Sequence, residues 1–148
     1  MIRFREMLQN DVKMAAELEA SLFPDPWSEE AFLQALKNSY TFYVVGYEEN
    51  EIVAQCGYYN LGGEGEILNV AVLASRQRQG IAEQMLKYLM EHGRKNGVES
   101  FTLEVRAGNL PAIALYEKLG FVKQGMRPGF YQNPKEDAVI MNKVGDLC

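Results

Sequence analysis

The sequence predicts an α/β fold of the α+β kind, a mixed and mostly antiparallel sheet of seven strands carrying four helices. Three observations predict it. Aromatic and β-branched runs from Tyr40 to Tyr47 and from Ile52 to Leu61 flank Glu48-Glu49-Asn50-Glu51, the pattern of an antiparallel hairpin. A third apolar run, Glu66 to Val72, gives way through a polar loop to an amphipathic helix from Gly80, a crossover that makes the strands on either side of it parallel. Two helical patterns then end at Gly97 and Gly120, each followed by another strand pattern.

In chain order, Ile2 to Met7 alternates apolar and charged residues, the sign of a half-buried strand. Asn10 or Asp11 caps a helix to about Ala20, with Val12, Ala15, Ala16 and Leu18 at helical spacing. Pro24-Asp25-Pro26-Trp27 breaks it, either as a rigid turn packing its tryptophan or as part of a substrate groove. Ser28 caps the second helix, whose Glu29 and Glu30 suit the positive end of the helix dipole. Gly62-Gly63-Glu64-Gly65 reads as a turn; no helix follows it, so it is not a dinucleotide fingerprint.

The helix from Gly80 places Ile81, Met85, Leu86, Leu89 and Met90 on one face. Phe101 to Arg106 is a fifth strand with strict alternation, Phe101, Leu103 and Val105 against Thr102, Glu104 and Arg106. Asn109 caps the last helix, with Pro111 in its first turn and Tyr116 on its apolar face. Phe121 to Arg127 and Ala138 to Asn142 are the last two strands, joined by a loop holding Phe130, Tyr131 and Pro134.

Composition narrows the function. The 148 residues suit one domain, taken as 1–148, and 47% hydrophobic with 24% charged residues is ordinary for a globular chain. A net charge of −5 argues against general nucleic-acid binding. There is no signal-peptide pattern and no apolar run near the roughly 18 residues that span a bilayer, so no membrane partner is expected. Cys56 and Cys148 form neither a disulfide framework nor a metal motif, which favours a reducing, cytoplasmic setting and no metal. Cys56 reads as a small buried hydrophobe and Cys148 as a tail residue. His92, the one histidine, reads as a solvated helix residue.

The loop Gln77-Arg78-Gln79-Gly80-Ile81-Ala82 carries chemistry. A helix N-terminus exposes unpartnered N–H groups, its dipole favours anions, and the small Gly80 and Ala82 let a ligand reach the backbone. Arg76 and Arg78 add positive charge. The loop reads as a diphosphate cradle or, more plainly, as an ordinary strand–helix connection. Glu104 and Tyr116 are a candidate general base and general acid. The plainer readings are a carboxylate paired with an arginine such as Arg106, and a core tyrosine.

Gln77-x-x-Gly80-x-Ala82 after the fourth strand resembles the acetyl-CoA motif of the GNAT N-acetyltransferase superfamily. Leu103-Glu104-Val105-Arg106-Ala107-Gly108-Asn109, with Leu115-Tyr116-Glu117 and Leu119-Gly120-Phe121, is similar to its RimI branch, the ribosomal-protein-alanine N-acetyltransferases. Pro26-Trp27-Ser28 and Glu136 to Met141 extend the likeness over nearly the whole chain.

The resemblance implies that strands four and five, parallel, splay apart, with the pantetheine arm of acetyl-CoA in the gap along backbone at Val70, Ala71 and Val72. It implies backbone N–H groups of Gln77, Arg78, Gln79, Gly80, Ile81 and Ala82 on the diphosphate, and Asn109 in contact with the coenzyme. Glu104 would accept a proton and Tyr116 donate one. The implied acceptor is a protein N-terminal α-amine, that of the alanine of small-subunit ribosomal protein eighteen. Two positions depart from the pattern: Ala82 stands where many relatives have glycine, and Phe130-Tyr131 where the ribosomal enzymes often have two tyrosines. The alternatives are another amine (lysine, polyamine or amino-sugar) and a non-catalytic acyl-CoA-binding module, against which the presence of both Glu104 and Tyr116 speaks.

Overall fold

The computed structural model describes residues 1–144, so Cys148 lies outside the described residues. The elements follow the expected order: β1 (Arg3–Glu6), α1 (Val12–Leu22), α2 (Glu29–Leu36), β2 (Thr41–Glu48), β3 (Glu51–Leu61), β4 (Glu64–Val72), α3 (Ile81–Lys95), β5 (Ser100–Arg106), α4 (Leu110–Lys118), β6 (Val122–Tyr131) and β7 (Glu136–Val144). They form one seven-stranded sheet in the order β1-β2-β3-β4-β5-β7-β6. Among the described residues only β4 and β5 pair in parallel, as the crossover through α3 requires.

The alternation read from sequence sorts the side chains into two cores. On one face Met85, Leu86 and Leu89 of α3 and Ile113 and Tyr116 of α4 pack on Phe101, Leu103 and Val105. On the other, Val12, Ala15, Leu18 and Phe32 of α1 and α2 pack on Tyr43, Val45 and Ala71. Ser28 caps α2 by accepting from the Ala31 N–H at 3.1 Å. The Pro-Asp-Pro-Trp segment is a packed turn: the Trp27 ring lies 5.2 Å from Phe32 and 5.9 Å from Tyr43.

Three expectations are corrected. The β3–β4 turn is Gly62-Gly63 alone, both with positive φ, and β4 starts at Glu64. Phe130 and Tyr131 belong to β6, not to a loop, and β7 begins at Glu136. Pro128 sits within β6 because β6 is an edge strand, where a missing N–H costs no ladder bond. His92 is half-buried rather than simply solvated: its ring stacks on Phe42 with centroids 3.4 Å apart, and Nδ1 lies 2.9 Å from the Tyr58 hydroxyl.

Candidate active site

The parallel pairing of β4 and β5 is short. Glu64, Gly65 and Glu66 pair with Ser100, Phe101 and Thr102, and the strands then part. Beyond the fork, β4 carries a bulge. Gln55 and Gly57 of β3 face Ala71 and Leu68, so β4 holds one extra residue there. Asn69 takes it up with a φ of 59°. Asparagine tolerates the left-handed region better than most residues, and a bulge turns the strand locally.

Side chains fix this bulge from below. The Tyr43 hydroxyl donates to Asn69 Oδ1 at 2.7 Å, and Asn69 Nδ2 donates to Glu19 Oε1 at 3.4 Å. Glu19 also accepts from the Trp27 N–H at 3.1 Å, and Gln55 Nε2 donates to the Ala15 carbonyl at 3.1 Å. Gly57 makes room for this arrangement, since a Cβ there would lie 2.5 Å from the Tyr43 ring. Burial pushes the Glu19 carboxyl above its usual range, against the three hydrogen bonds it accepts.

The diverging strands open a cleft of about 460 Å³. Val70 and Val72 form its β4 wall; Ala71, by alternation, turns into the opposite core. Asn109, Pro111, Ala112, Leu115 and Tyr116 form the α4 wall. Gln77, Arg78, Gly80, Ile81 and Ala82 form the end at the start of α3, while Gln79 does not line it. This is the mouth at the carboxyl ends of parallel strands, where ligands of α/β sheets bind.

The α3 N-terminus is built to be left open. Gly80 is its N-cap, in the left-handed conformation with φ 77°, and supplies no capping side chain. A Cβ at Gly80 would meet nothing within 4 Å, so conformation and access, not protein packing, demand glycine there. The first-turn N–H groups of α3 therefore receive no capping side chain from Gly80. Arg78 lines the cleft and makes no ion pair among the described residues, whereas Arg76 is held by Glu48 at 2.6 Å. The Gln77 amide donates to the Val72 carbonyl at 3.0 Å, joining the loop to the strand. The Gln77 main-chain N–H donates to the Ala74 carbonyl at 3.4 Å. Asn109 caps α4 by accepting from the Ala112 N–H at 3.3 Å.

Glu104 and Tyr116 stand on either side of the sheet layer. Tyr116 is buried on α4 beside the cleft, and burial pushes its hydroxyl far above the usual tyrosine range. Glu104 projects from the opposite face of β5, and its Oε2 is buried. Its charged partner is Arg127, with Nε 3.0 Å from Oε2, not Arg106. Arg106 instead pairs with Glu136 and donates to the Gln132 and Pro134 carbonyls. Burial raises the Glu104 carboxyl above the usual carboxylate range; the Arg127 charge opposes this and Glu66 adds to it. Tyr131 links the two groups electrostatically. Burial first, then the Glu104 charge, pushes its hydroxyl up to about 12, and Tyr131 in turn acts on Tyr116. Cys56 is fully buried and burial pushes its thiol up, so it is no ready nucleophile.

The sequence singled out Phe130-Tyr131 but not the coupling of Tyr131 to Glu104, and it gave no role to Arg127 or to a bulge at Asn69. A lone asparagine inside a β-branched run was the one available sign of the bulge.

Comparison with known proteins agrees with this geometry. The model of the acetyltransferase (GNAT) family matches residues 12–121. The chain is 34% identical over 133 residues to the ribosomal protein bS18-alanine N-acetyltransferase of Escherichia coli K12, covering 88% of this chain and 89% of that one. It is 34% identical over 139 residues to the N-alpha-acetyltransferase RimI of Mycobacterium tuberculosis, covering 90% and 86%. The crystal structure of the ribosomal-protein-S18-alanine N-acetyltransferase from E. coli superposes with a TM-score of 0.90 at 30% identity, over 100% of this chain and 96% of that one. The forked parallel pair, the uncapped helix and the extent of these matches lead to one conclusion: the chain belongs to the GNAT acetyltransferase family.

Proposed function

We propose that this enzyme moves an acetyl group from acetyl-CoA to a protein N-terminal α-amine, that of the alanine of small-subunit ribosomal protein bS18. The fork between β4 and β5 carries the reading, because past Glu66 it leaves β4 unpaired by β5 along Val70 and Val72, with the Val72 carbonyl held by Gln77, beside an uncapped helix N-terminus. The named activity of the E. coli and M. tuberculosis relatives supports the acceptor.

Acetyl-CoA supplies an acetyl group activated as a thioester. Backbone at Val70 and Val72 would hold its pantetheine arm as an added strand, and the α3 amides with Arg78 would hold its diphosphate. Asn109 and Ala112 would close the α4 side.

An α-amine has a pKa near ~8, so at neutral pH most of it is protonated and cannot attack. Glu104, with its proton affinity raised by burial, would take that proton directly or through a water. The amine then attacks the acetyl carbonyl, the new C–N bond replacing the C–S bond; the nitrogen gives its second proton to water, and Glu104 returns the first to solvent. Tyr116 would give its proton to the departing sulfur and recover one from solvent. Its raised pKa keeps it protonated until needed but makes it a weak acid.

Incubation with acetyl-CoA and a synthetic peptide beginning with alanine, scored by mass spectrometry, tests the reading. One acetyl group on the free peptide and none on an N-blocked copy is expected. Modification of lysine side chains in both would overturn the acceptor assignment.

A further inference from the structure

Glu104 has an unusual partner. Arg127 Nε lies 3.0 Å from Glu104 Oε2, yet that oxygen is buried and accepts no hydrogen bond among the described residues, so the N–H is not aimed at it. The two side chains also differ in access: Arg127 is 58% exposed and Glu104 18%. Apart from this contact, the Arg127 guanidinium rests 5.5 Å from the Phe130 ring centroid. Arg106 shows what a built-in arginine looks like here: Glu136, two backbone carbonyls and the Tyr131 ring hold it. Arg127 has an ion pair and a more distant ring, but no hydrogen bond to a backbone carbonyl among the described residues. It sits on edge strand β6, just before the break in the β6–β7 register.

A carboxylate oxygen without a hydrogen bond, facing a cation that is easily withdrawn, is arranged for exchange. We propose that Arg127 is a placeholder cation on Glu104, occupying in the free enzyme the position that the acceptor's α-ammonium takes on binding. The inference rests on Glu104 being the proton acceptor.

An ammonium is compact, carries three donors and can supply the hydrogen bond that Glu104 Oε2 lacks. The guanidinium gives up a partly exposed ion pair, of the weak kind, and swings into water. Acceptors therefore enter charged, and the proton that Glu104 receives is the one that brought the substrate in. A neutral hydroxyl or amide brings no charge to displace the guanidinium. Arg127 is thus a positioning residue that sets which nucleophiles reach the base and how readily.

The charged and titratable groups around Glu104 are Arg127 and Tyr131 on β6, Glu66 on β4, Arg106 on β5 and Glu136 on β7. Glu66 holds register with Thr102, two residues before Glu104 on the same face, and Tyr59 of β3 is its opposite neighbour. Burial and Glu66 raise the Glu104 carboxyl, and Arg127 is the cation that lowers it.

Steady-state kinetics of Arg127→Gln and Arg127→Lys with an alanine-led peptide, and 13C NMR titration of the Glu104 carboxyl in each variant, test the proposal. Arg127→Gln should lower the acceptor KM about 2–5-fold, the worth of an exposed ion pair. It should leave the acetyl-CoA KM unchanged and move the acid limb of kcat/KM to higher pH. Arg127→Lys should restore both. An acceptor KM that stays or rises in Arg127→Gln, or an acid limb that does not move, overturns the proposal. The titration needs no turnover, so it separates two failures. Normal turnover in Glu104→Gln removes the base, whereas a Glu104 carboxyl that titrates alike with and without Arg127 removes the placeholder.

Discussion

Asn69→Ala is the most informative single change, because Asn69 links the buried polar network to the shape of the cleft. Two costs can be assigned. The Tyr43 hydroxyl, on a side chain only 1% exposed, loses the acceptor it reaches at 2.7 Å, which costs about 1–3 kcal/mol. Alanine at φ 59° adds about 1 kcal/mol, the steric penalty of the left-handed region that asparagine largely escapes. Together the destabilisation is about 2–4 kcal/mol. For 148 residues each kcal/mol moves Tm by about 3 °C, so a drop of about 6–12 °C is expected. Asn69→Gly removes the same hydrogen bonds but none of the conformational freedom, so it should be milder by about 1 kcal/mol although it deletes more atoms. Differential scanning calorimetry and urea unfolding of the three proteins give these differences. Acetyl-CoA titration of the same samples reads the cleft, and weaker binding by Asn69→Ala than by Asn69→Gly is expected. Alanine equal to or milder than glycine would refute the bulge argument. Unchanged coenzyme affinity in a destabilised Asn69→Ala would detach the bulge from the site.

Three further outcomes follow from the site. Glu104→Gln should cut turnover about 10²–10⁴-fold while calorimetric acetyl-CoA binding stays intact; in the unchanged enzyme, activity should fall as pH drops through a Glu104 pKa above the usual carboxylate range, because only the ionised carboxylate takes a proton. Tyr116→Phe should slow turnover by a similar factor with little change in Tm, and a variant that only melts earlier would mark Tyr116 as core alone. Gly80→Val places a β-branched side chain at φ 77° and into the cleft; acetyl-CoA affinity should fall about tenfold or more, each ~1.4 kcal/mol lost being tenfold, as titration calorimetry would read.

Most of the fold was legible because it is written in short-range pattern. The alternation of Phe101 to Arg106 put Glu104 on the face opposite Leu103, where it lies. Ser28 and Asn109 announced their helices by side chains that cap them. The Gly80 loop was legible for the same reason, since a glycine at a strand–helix junction signals a backbone need that is local. What escaped is long-range. Arg127 reaches Glu104 through the β5–β7–β6 pairing, which no spacing between the two residues encodes, so the nearer Arg106 looked the better partner. His92 looked solvated because its polar neighbours in sequence hide the Phe42 ring brought to it by the sheet. Pro128 and Gly129 made the end of β6 look like a loop, a sound inference for a central strand that fails at an edge. The Glu19–Gln55–Asn69–Tyr43 network joins four elements, and none of its members is conspicuous alone.

Everything proposed for the site requires the coenzyme to lie in the opening between β4 and β5, with the uncapped start of α3 at its end. A crystal structure grown with acetyl-CoA tests it most directly. The pantetheine arm should lie between Val70–Val72 and the Asn109–Tyr116 side of the cleft, and the diphosphate on the amides around Gly80 and Ala82. A coenzyme bound elsewhere, or strands β4 and β5 closed against each other past Glu66 with the coenzyme present, would contradict it.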